Sequence, residues 1–161
     1  MKDILLHACC GPCSCFTPAK LGEDGLHPVL FFYNPNIHPY QEYRIRLESL
    51  SKLAQIRNLP VLVEPGYELE QFLQIVAADP GNRCRHCYRI RLEKTAEKAR
   101  ELGFSLFSST LLISPYQNRD LLLETGHVLA QEYGLQFYDG DFRPGFRQSQ
   151  ALAKELGLYR Q

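Results

Sequence analysis

The 161-residue sequence predicts an α/β fold, a mostly parallel sheet flanked by helices, with residues 1–161 forming a single domain. Three observations carry that expectation. Short apolar runs alternate along the chain with stretches of helical periodicity, as repeated strand and helix units require. One run, Val29-Leu30-Phe31-Phe32-Tyr33, is continuously apolar, which suits a central strand covered on both faces. The length and 45% hydrophobic content supply one core, able to bury roughly two-thirds of the unfolded surface without a metal to hold it.

Ile4 to Ala8 reads as the first strand, and Pro12 suits the first position of a helix running towards Gly22 or Gly25. The second strand, Val29 to Tyr33, ends at the break Asn34-Pro35-Asn36. Tyr40 to Asn58 is the longest helical candidate, with Tyr43, Leu47, Leu50 and Ala54 at helical spacing. Pro60 to Val63 follows as a third strand and Glu68 to Ala78 as a helix stopped by Asp79-Pro80-Gly81. Asn82 is the expected N-cap of a long helix through Leu102. On that helix Cys84, Tyr88, Leu92, Ala96 and Ala99 follow one stripe, so the cysteines are expected to continue its buried face. Phe104 to Thr110 reads as the fourth strand, Asp120 to Tyr133 as a helix and Leu135 to Tyr138 as a short fifth strand. An arginine-rich and aromatic loop, Asp141 to Arg147, precedes a last helix from Ser149 to Leu156. No repeat or low-complexity segment interrupts the chain.

The formal net charge is zero, which argues against a generic polyanion binder. Charge is nevertheless uneven: Asn82 to Arg100 holds seven basic residues against Glu93 and Glu97, whereas Val61 to Pro80 holds four acidic residues and no basic one. That segment is either a phosphate-facing surface or a solvated helix face of i,i+4 ion pairs. The chain enters its first strand directly after Met1-Lys2-Asp3, without a signal-peptide apolar region, so the expected compartment is the cytoplasm. No apolar run approaches the length that spans a bilayer, and no membrane role is expected.

Six cysteines in such a compartment point to metal binding or redox chemistry rather than to structural disulfides. Five of them fall into two groups, His7-Ala8-Cys9-Cys10-Gly11-Pro12-Cys13 and Arg83-Cys84-Arg85-His86-Cys87. In open α/β sheets, sites form beyond the carboxyl ends of the strands. Both groups should therefore face one crevice, each beside the positive end of a helix that favours thiolate. Gly11 would let the backbone approach a cofactor closely. Cys84 and Cys87, at i,i+3, can reach one metal. Three readings compete: a dithiol redox pair, which leaves the vicinal Cys9-Cys10 unexplained; tetrahedral zinc, which usually arrives in two CxxC knuckles; and a cubane cluster, which tolerates varied spacing because each iron takes one thiolate. Cys15 reads as a small buried hydrophobe.

Five ordered motifs resemble the cobalamin-independent epoxyqueuosine reductases of the QueH type. They are Leu5-Leu6-His7-Ala8-Cys9-Cys10-Gly11-Pro12-Cys13, Phe31 to Pro39, Arg83-Cys84-Arg85-His86-Cys87-Tyr88-Arg89, Ser109 to Tyr116, and Asp141-Phe142-Arg143-Pro144-Gly145-Phe146-Arg147. The resemblance implies a Rossmann-like (HUP-type) fold, a 4Fe-4S cluster with an additional adjacent iron, and reduction of epoxyqueuosine to queuosine at the wobble position of tRNA. By position it assigns Cys9, Cys10, Cys84 and Cys87 to the cluster, with Cys13 and Asp141 as candidate ligands of the extra iron. Many relatives of this kind continue past the Leu158-Tyr159-Arg160-Gln161 segment into a short cysteine-containing tail, whereas this sequence stops at Gln161.

Removing an epoxide oxygen to leave an alkene takes two electrons and two protons, and the oxygen departs as water. A metal that polarises the C–O bond and a cluster that passes charge would suit that chemistry, with electrons from an unidentified donor. His7, His38, Asp141 and Tyr116 are the candidate acids, although His7 reads equally well as a core histidine. An unstacked anticodon base would want aromatic faces and arginines at the crevice mouth. Tyr40, Tyr43 and Arg44 after one loop, and Arg143, Phe146 and Arg147 in the last, are the candidates, with Arg89 and Arg91 reaching phosphates; Tyr43 and Phe146 have core readings as well. Two alternatives stand beside this one. An ATP-dependent tRNA thiolation enzyme would carry a Ser-Gly-Gly-x-Asp-Ser loop where this chain has Cys-Cys-Gly-Pro-Cys, and a zinc-stabilised RNA-binding module would hold zinc and no iron.

Overall fold

The computed structural model describes residues 2–160. The strands β1 (Lys2–His7), β2 (Leu26–Phe32), β3 (Val61–Val63), β4 (Leu106–Ser109) and β5 (Gln136–Phe137) form one sheet in the order β3-β2-β1-β4-β5. Every pairing is parallel. The helices α1 (Thr17–Glu23), α2 (Tyr40–Arg57), α3 (Leu69–Ala78), α4 (Arg83–Leu102), α5 (Arg119–Tyr133) and α6 (Phe146–Glu155) flank it. This is the mostly parallel α/β arrangement that the alternating pattern predicts, in the Rossmann-like form that the family resemblance implies. Among the described residues no helix is long and apolar enough to cross a membrane.

The chain leaves β1 for β2 on one side and reaches β4 on the other, so the switch in strand order falls between β1 and β4. Loops diverge at such a point and open a crevice beyond the strand ends. His7 pairs with Phe31 of β2 and with Ser109 of β4, which levels the three strand ends beside that crevice. Ile4, Leu5 and Leu6 are fully buried, as a central strand covered on both faces must be. The helix α4 packs on β1 and β4 and lies along α5.

Three expectations are corrected. The helix starting at Pro12 is instead a 3-10 turn, Pro12–Ser14, followed by the separate α1. Pro18 has no N–H to offer the Ser14 carbonyl, so a continuous helix breaks there. Asn82 does not cap α4 with its side chain, which turns back to Asp79 at 3.1 Å. The buried stripe of α4 begins at Tyr88, not at Cys84: Arg83, Cys84 and Arg85 are all exposed, because nothing covers the first turn.

Gly126 of α5 lies against the Phe137 ring of β5, where an added Cβ would stand 2.6 Å from two ring carbons. Phe137 is itself held edge-on to Phe107 of β4, with ring centroids 5.2 Å apart. Gly126→Ala should therefore cost about 1–3 kcal/mol through overpacking, seen as a lower urea midpoint with an unchanged slope.

Candidate metal and active site

The loop after β1 places the first cysteine group beyond the strand ends, on the side where the switch in strand order lies. The sulfurs of Cys9, Cys10 and Cys13 all lie within 4.8 Å of one another, with Cys9 and Cys10 buried and Cys13 half-buried. Three soft donors so close together suit a metal that favours thiolate. Cys9 Sγ is 3.8 Å from Cys10 Sγ and 3.5 Å from the hydroxyl of Thr110, beyond the end of β4. Hydrogen bonds from the Cys10 and Cys13 thiols hold Cys9 well below the usual thiol range despite its burial. Cys13 is raised by its hydrogen bonds with Cys10 and Cys9 and by burial, and Cys10 by its bond with Cys9 and by burial.

The scaffold under this loop is a buried polar network around His7. Its Nε2 lies 3.1 Å from both the Tyr33 carbonyl and Asn34 Oδ1, two acceptors that require the ring proton on Nε2. Nδ1 then accepts from the Ser109 hydroxyl at 2.9 Å. Asn34 returns a bond of 3.0 Å from Nδ2 to the Ala8 carbonyl, and Cys9 N–H donates to Thr110 Oγ1 at 3.2 Å. The break Asn34-Pro35-Asn36 is thus a fastener for the backbone that enters the cysteine loop. Burial, with the positive charge of Arg91 added, lowers His7 to about 4. It is neutral at physiological pH and sealed from solvent, which corrects its assignment as a catalytic acid.

From the other side the loop is braced by α6. Ser149, fully buried, donates to the Pro12 carbonyl and accepts from Phe16 N–H at 3.2 Å. Gly145 lies on the Phe16 ring, where an added Cβ would come within 2.3 Å. Gly11 has ordinary helical torsions, φ −61° and ψ −53°, and an added Cβ would meet Ser49 Oγ at 2.4 Å. Its small size therefore admits α2, correcting the expectation that it admits a cofactor. Cys15 is buried with Leu53, Ala153 and Leu158 and raised to about 11 by desolvation, an inert packing thiol.

The second cysteine group stands apart from the triad. Cys84 is exposed, Cys87 is half-buried, and neither belongs to the group of converging sulfurs. Cys87 Sγ accepts from Arg91 Nη2 at 3.2 Å. Tyr88 ties the same turn to the loop before α5: its hydroxyl donates to Gln117 and accepts from Asn118 N–H at 3.1 Å. The larger clefts open elsewhere. One of about 370 Å³ between α3 and α4 is lined by Tyr33, Glu68, Glu93, Lys94 and Glu97, an acidic wall unsuited to RNA.

A family model described as epoxyqueuosine reductase QueH matches residues 4–161. The chain belongs to the QueH family. The epoxyqueuosine reductase QueH of Dehalococcoides mccartyi is 37% identical over 98% of this chain and 87% of its own length. The protein of that name from Thermotoga maritima is 34% identical over the whole chain and 86% of its own length. The one from Helicobacter pylori is 38% identical over 98% of this chain, which spans 46% of that longer relative. A crystal structure described as a predicted subunit of a tRNA methyltransferase from Methanocaldococcus jannaschii superposes with a TM-score of 0.63 at 18% identity, covering 96% of this chain and 76% of that one, a likeness of fold.

Within this QueH chain the basic excess of α4 is largely spent on ion pairs. Arg85 meets Glu124, Arg89 meets Glu93 and Glu132 at 3.0 Å each, and Lys98 meets Glu64 and Glu101. The paired helix face thus prevails over the phosphate-facing one. Arg44 pairs with Glu48 at 3.2 Å. Arg143 grips Asp141 with two bonds of 2.8 and 2.7 Å, which together hold that carboxyl down to about 2. Asp141 is ionised at neutral pH, correcting its role as a proton donor and leaving that of a ligand. Tyr43 is a core residue, edge-on to Phe32 and close to Tyr67, whereas its neighbour Tyr40 is 54% exposed. Phe146 is half-buried under Tyr116, with centroids 5.9 Å apart, and Arg147 is exposed without an ion pair among the described residues.

Two features went unread in the sequence. Cys10-Gly11-Pro12-Cys13 is itself a CxxC, and Pro12 starts the tight turn that brings its sulfurs together. Arg91, grouped with the phosphate-reaching arginines, is buried.

Gly11→Ala should lower stability by about 1–3 kcal/mol and reduce metal retention, because the added methyl pushes the loop off Ser49. Ser49 Oγ is buried without a hydrogen-bond partner. The double variant Gly11→Ala/Ser49→Ala should therefore recover part of the loss, as read by thermal melts and by metal content.

Proposed function

We propose that this QueH chain reduces epoxyqueuosine to queuosine in tRNA, in the cytoplasm, at an iron–sulfur centre held by its cysteines. The observation that carries the reading is the convergence of Cys9, Cys10 and the half-buried Cys13 at the sheet's switch point. The donor set fits: the thiols are soft and close together, and Cys9 is held low. Cys9 and Cys10, with Cys84 and Cys87, would hold a 4Fe-4S cluster, and Cys13 with Asp141 a further iron. When bound, that centre supplies the two electrons and a Lewis acid for an oxygen that leaves as water after taking two protons. An external reductant restores the electrons.

The chain's own groups do the remaining work. His7 fixes the path of the cysteine loop and, being neutral and enclosed, gives no proton. Asp141 offers an ionised carboxylate. Tyr116, 85% exposed above Phe146, and the free Arg147 offer a stacking face and a cation for an unstacked base and its phosphate. A zinc-binding reading is favoured by one observation, that Cys10-x-x-Cys13 and Cys84-x-x-Cys87 are two CxxC spacings.

Protein purified without oxygen should be brown, with about four irons and four sulfides per chain and more iron if the second site fills. Cys9→Ser and Cys84→Ser should each lose cluster and epoxide reduction. A colourless protein with one zinc would overturn the proposal. Arg147→Glu should weaken tRNA binding and flatten its salt dependence by about one counterion, and more than Arg143→Glu, whose charge Asp141 already neutralises. Equal effects would remove Arg147 from its place at the mouth.

A further inference from the structure

We infer that Arg91 is a positioning residue, the fixed counter-cation of the thiolate centre, which holds Cys87 by an N–H···S bond and raises the centre's reduction potential. The inference rests on the proposed iron–sulfur reading and goes beyond it to a residue outside the ligand set.

Arg91 is 6% exposed, on the face of α4 that packs on β1. Its Nη2 lies 3.2 Å from Cys87 Sγ and its Nε 3.4 Å from the Cys87 carbonyl, one helical turn back. Among the described residues no carboxylate pairs with it, although its exposed neighbours Arg85 and Arg89 both have partners. A guanidinium taken out of water without an anion is strongly unfavourable. An anion is therefore required where this one points, and the acceptor there is a cysteine sulfur. Arginine suits the position better than lysine, because the planar fork can hold sulfur and carbonyl together. Thiolate-bound iron carries net negative charge, and each added electron increases it. A fixed cation and an N–H···S bond stabilise the reduced form more than the oxidised one.

The test compares wild-type protein with Arg91→Gln and Arg91→Lys, all purified without oxygen, by iron and sulfide content and by a spectroscopic redox titration. Arg91→Gln should keep its iron yet become at least tenfold harder to reduce, a negative shift of about 59 mV for a one-electron couple, with Arg91→Lys between it and wild type. A loaded Arg91→Gln protein with the wild-type midpoint overturns the inference. If Arg91→Gln retains no iron, Arg91→Lys decides in the same way. A wild-type protein that binds zinc instead overturns the iron–sulfur reading; chelator competition then decides the counter-cation role, which fails if Arg91→Gln holds zinc as tightly as wild type.

Discussion

The neutral imidazole of His7 is the constraint on which the site depends. It is the junction of three strand ends, taking a proton from Ser109 of β4 and giving one to the Tyr33 and Asn34 acceptors beyond β2. A buried polar group is tolerable only when satisfied, and here the satisfaction is complete in one tautomer alone. Protonation would place a second donor against the Ser109 hydroxyl, itself already accepting from Leu111 N–H. The chemistry of the loop above is thus built on a side chain that does no chemistry. What it contributes is the fixed direction of the Ala8 carbonyl and the Cys9 amide.

Charge is sorted by burial in a way that composition conceals. On α4 the cations Arg85, Arg89 and Lys98, exposed or partly so, are answered by carboxylates of neighbouring elements, and such pairs contribute little to stability. Asp141 and Arg143 answer each other within one loop. Arg91 differs from these in being both buried and without a carboxylate partner among the described residues. A formal net charge of zero is compatible with anion recognition when neutralisation is local in this way.

Much of the fold was legible because its signals are local. The apolar run at Val29 to Phe32, the stripe Tyr88, Leu92, Ala96 and Ala99, and the breaks at Pro35 and Pro80 each mean the same thing in the sequence as in the structure. The five family motifs identified the chain for the same reason. What was illegible depends on partners distant in sequence. Periodicity placed Cys84 on the buried stripe, but whether a stripe is covered depends on what packs over it, and nothing covers that turn. Gly11 looked like room for a cofactor, yet the space beside it is filled by Ser49, and that beside Gly145 by Phe16. The burial of Arg91 could not be read from a run of basic residues that look alike in the sequence.

The brace from α6 has a consequence for how the protein is made. Ser149 and Gly145 close over Pro12 and Phe16, residues separated from them by most of the chain. The cysteine loop emerges early from the ribosome and waits for a clasp that emerges late. The turn that carries Cys10 and Cys13 therefore gains its brace only when residues 145–149 have docked.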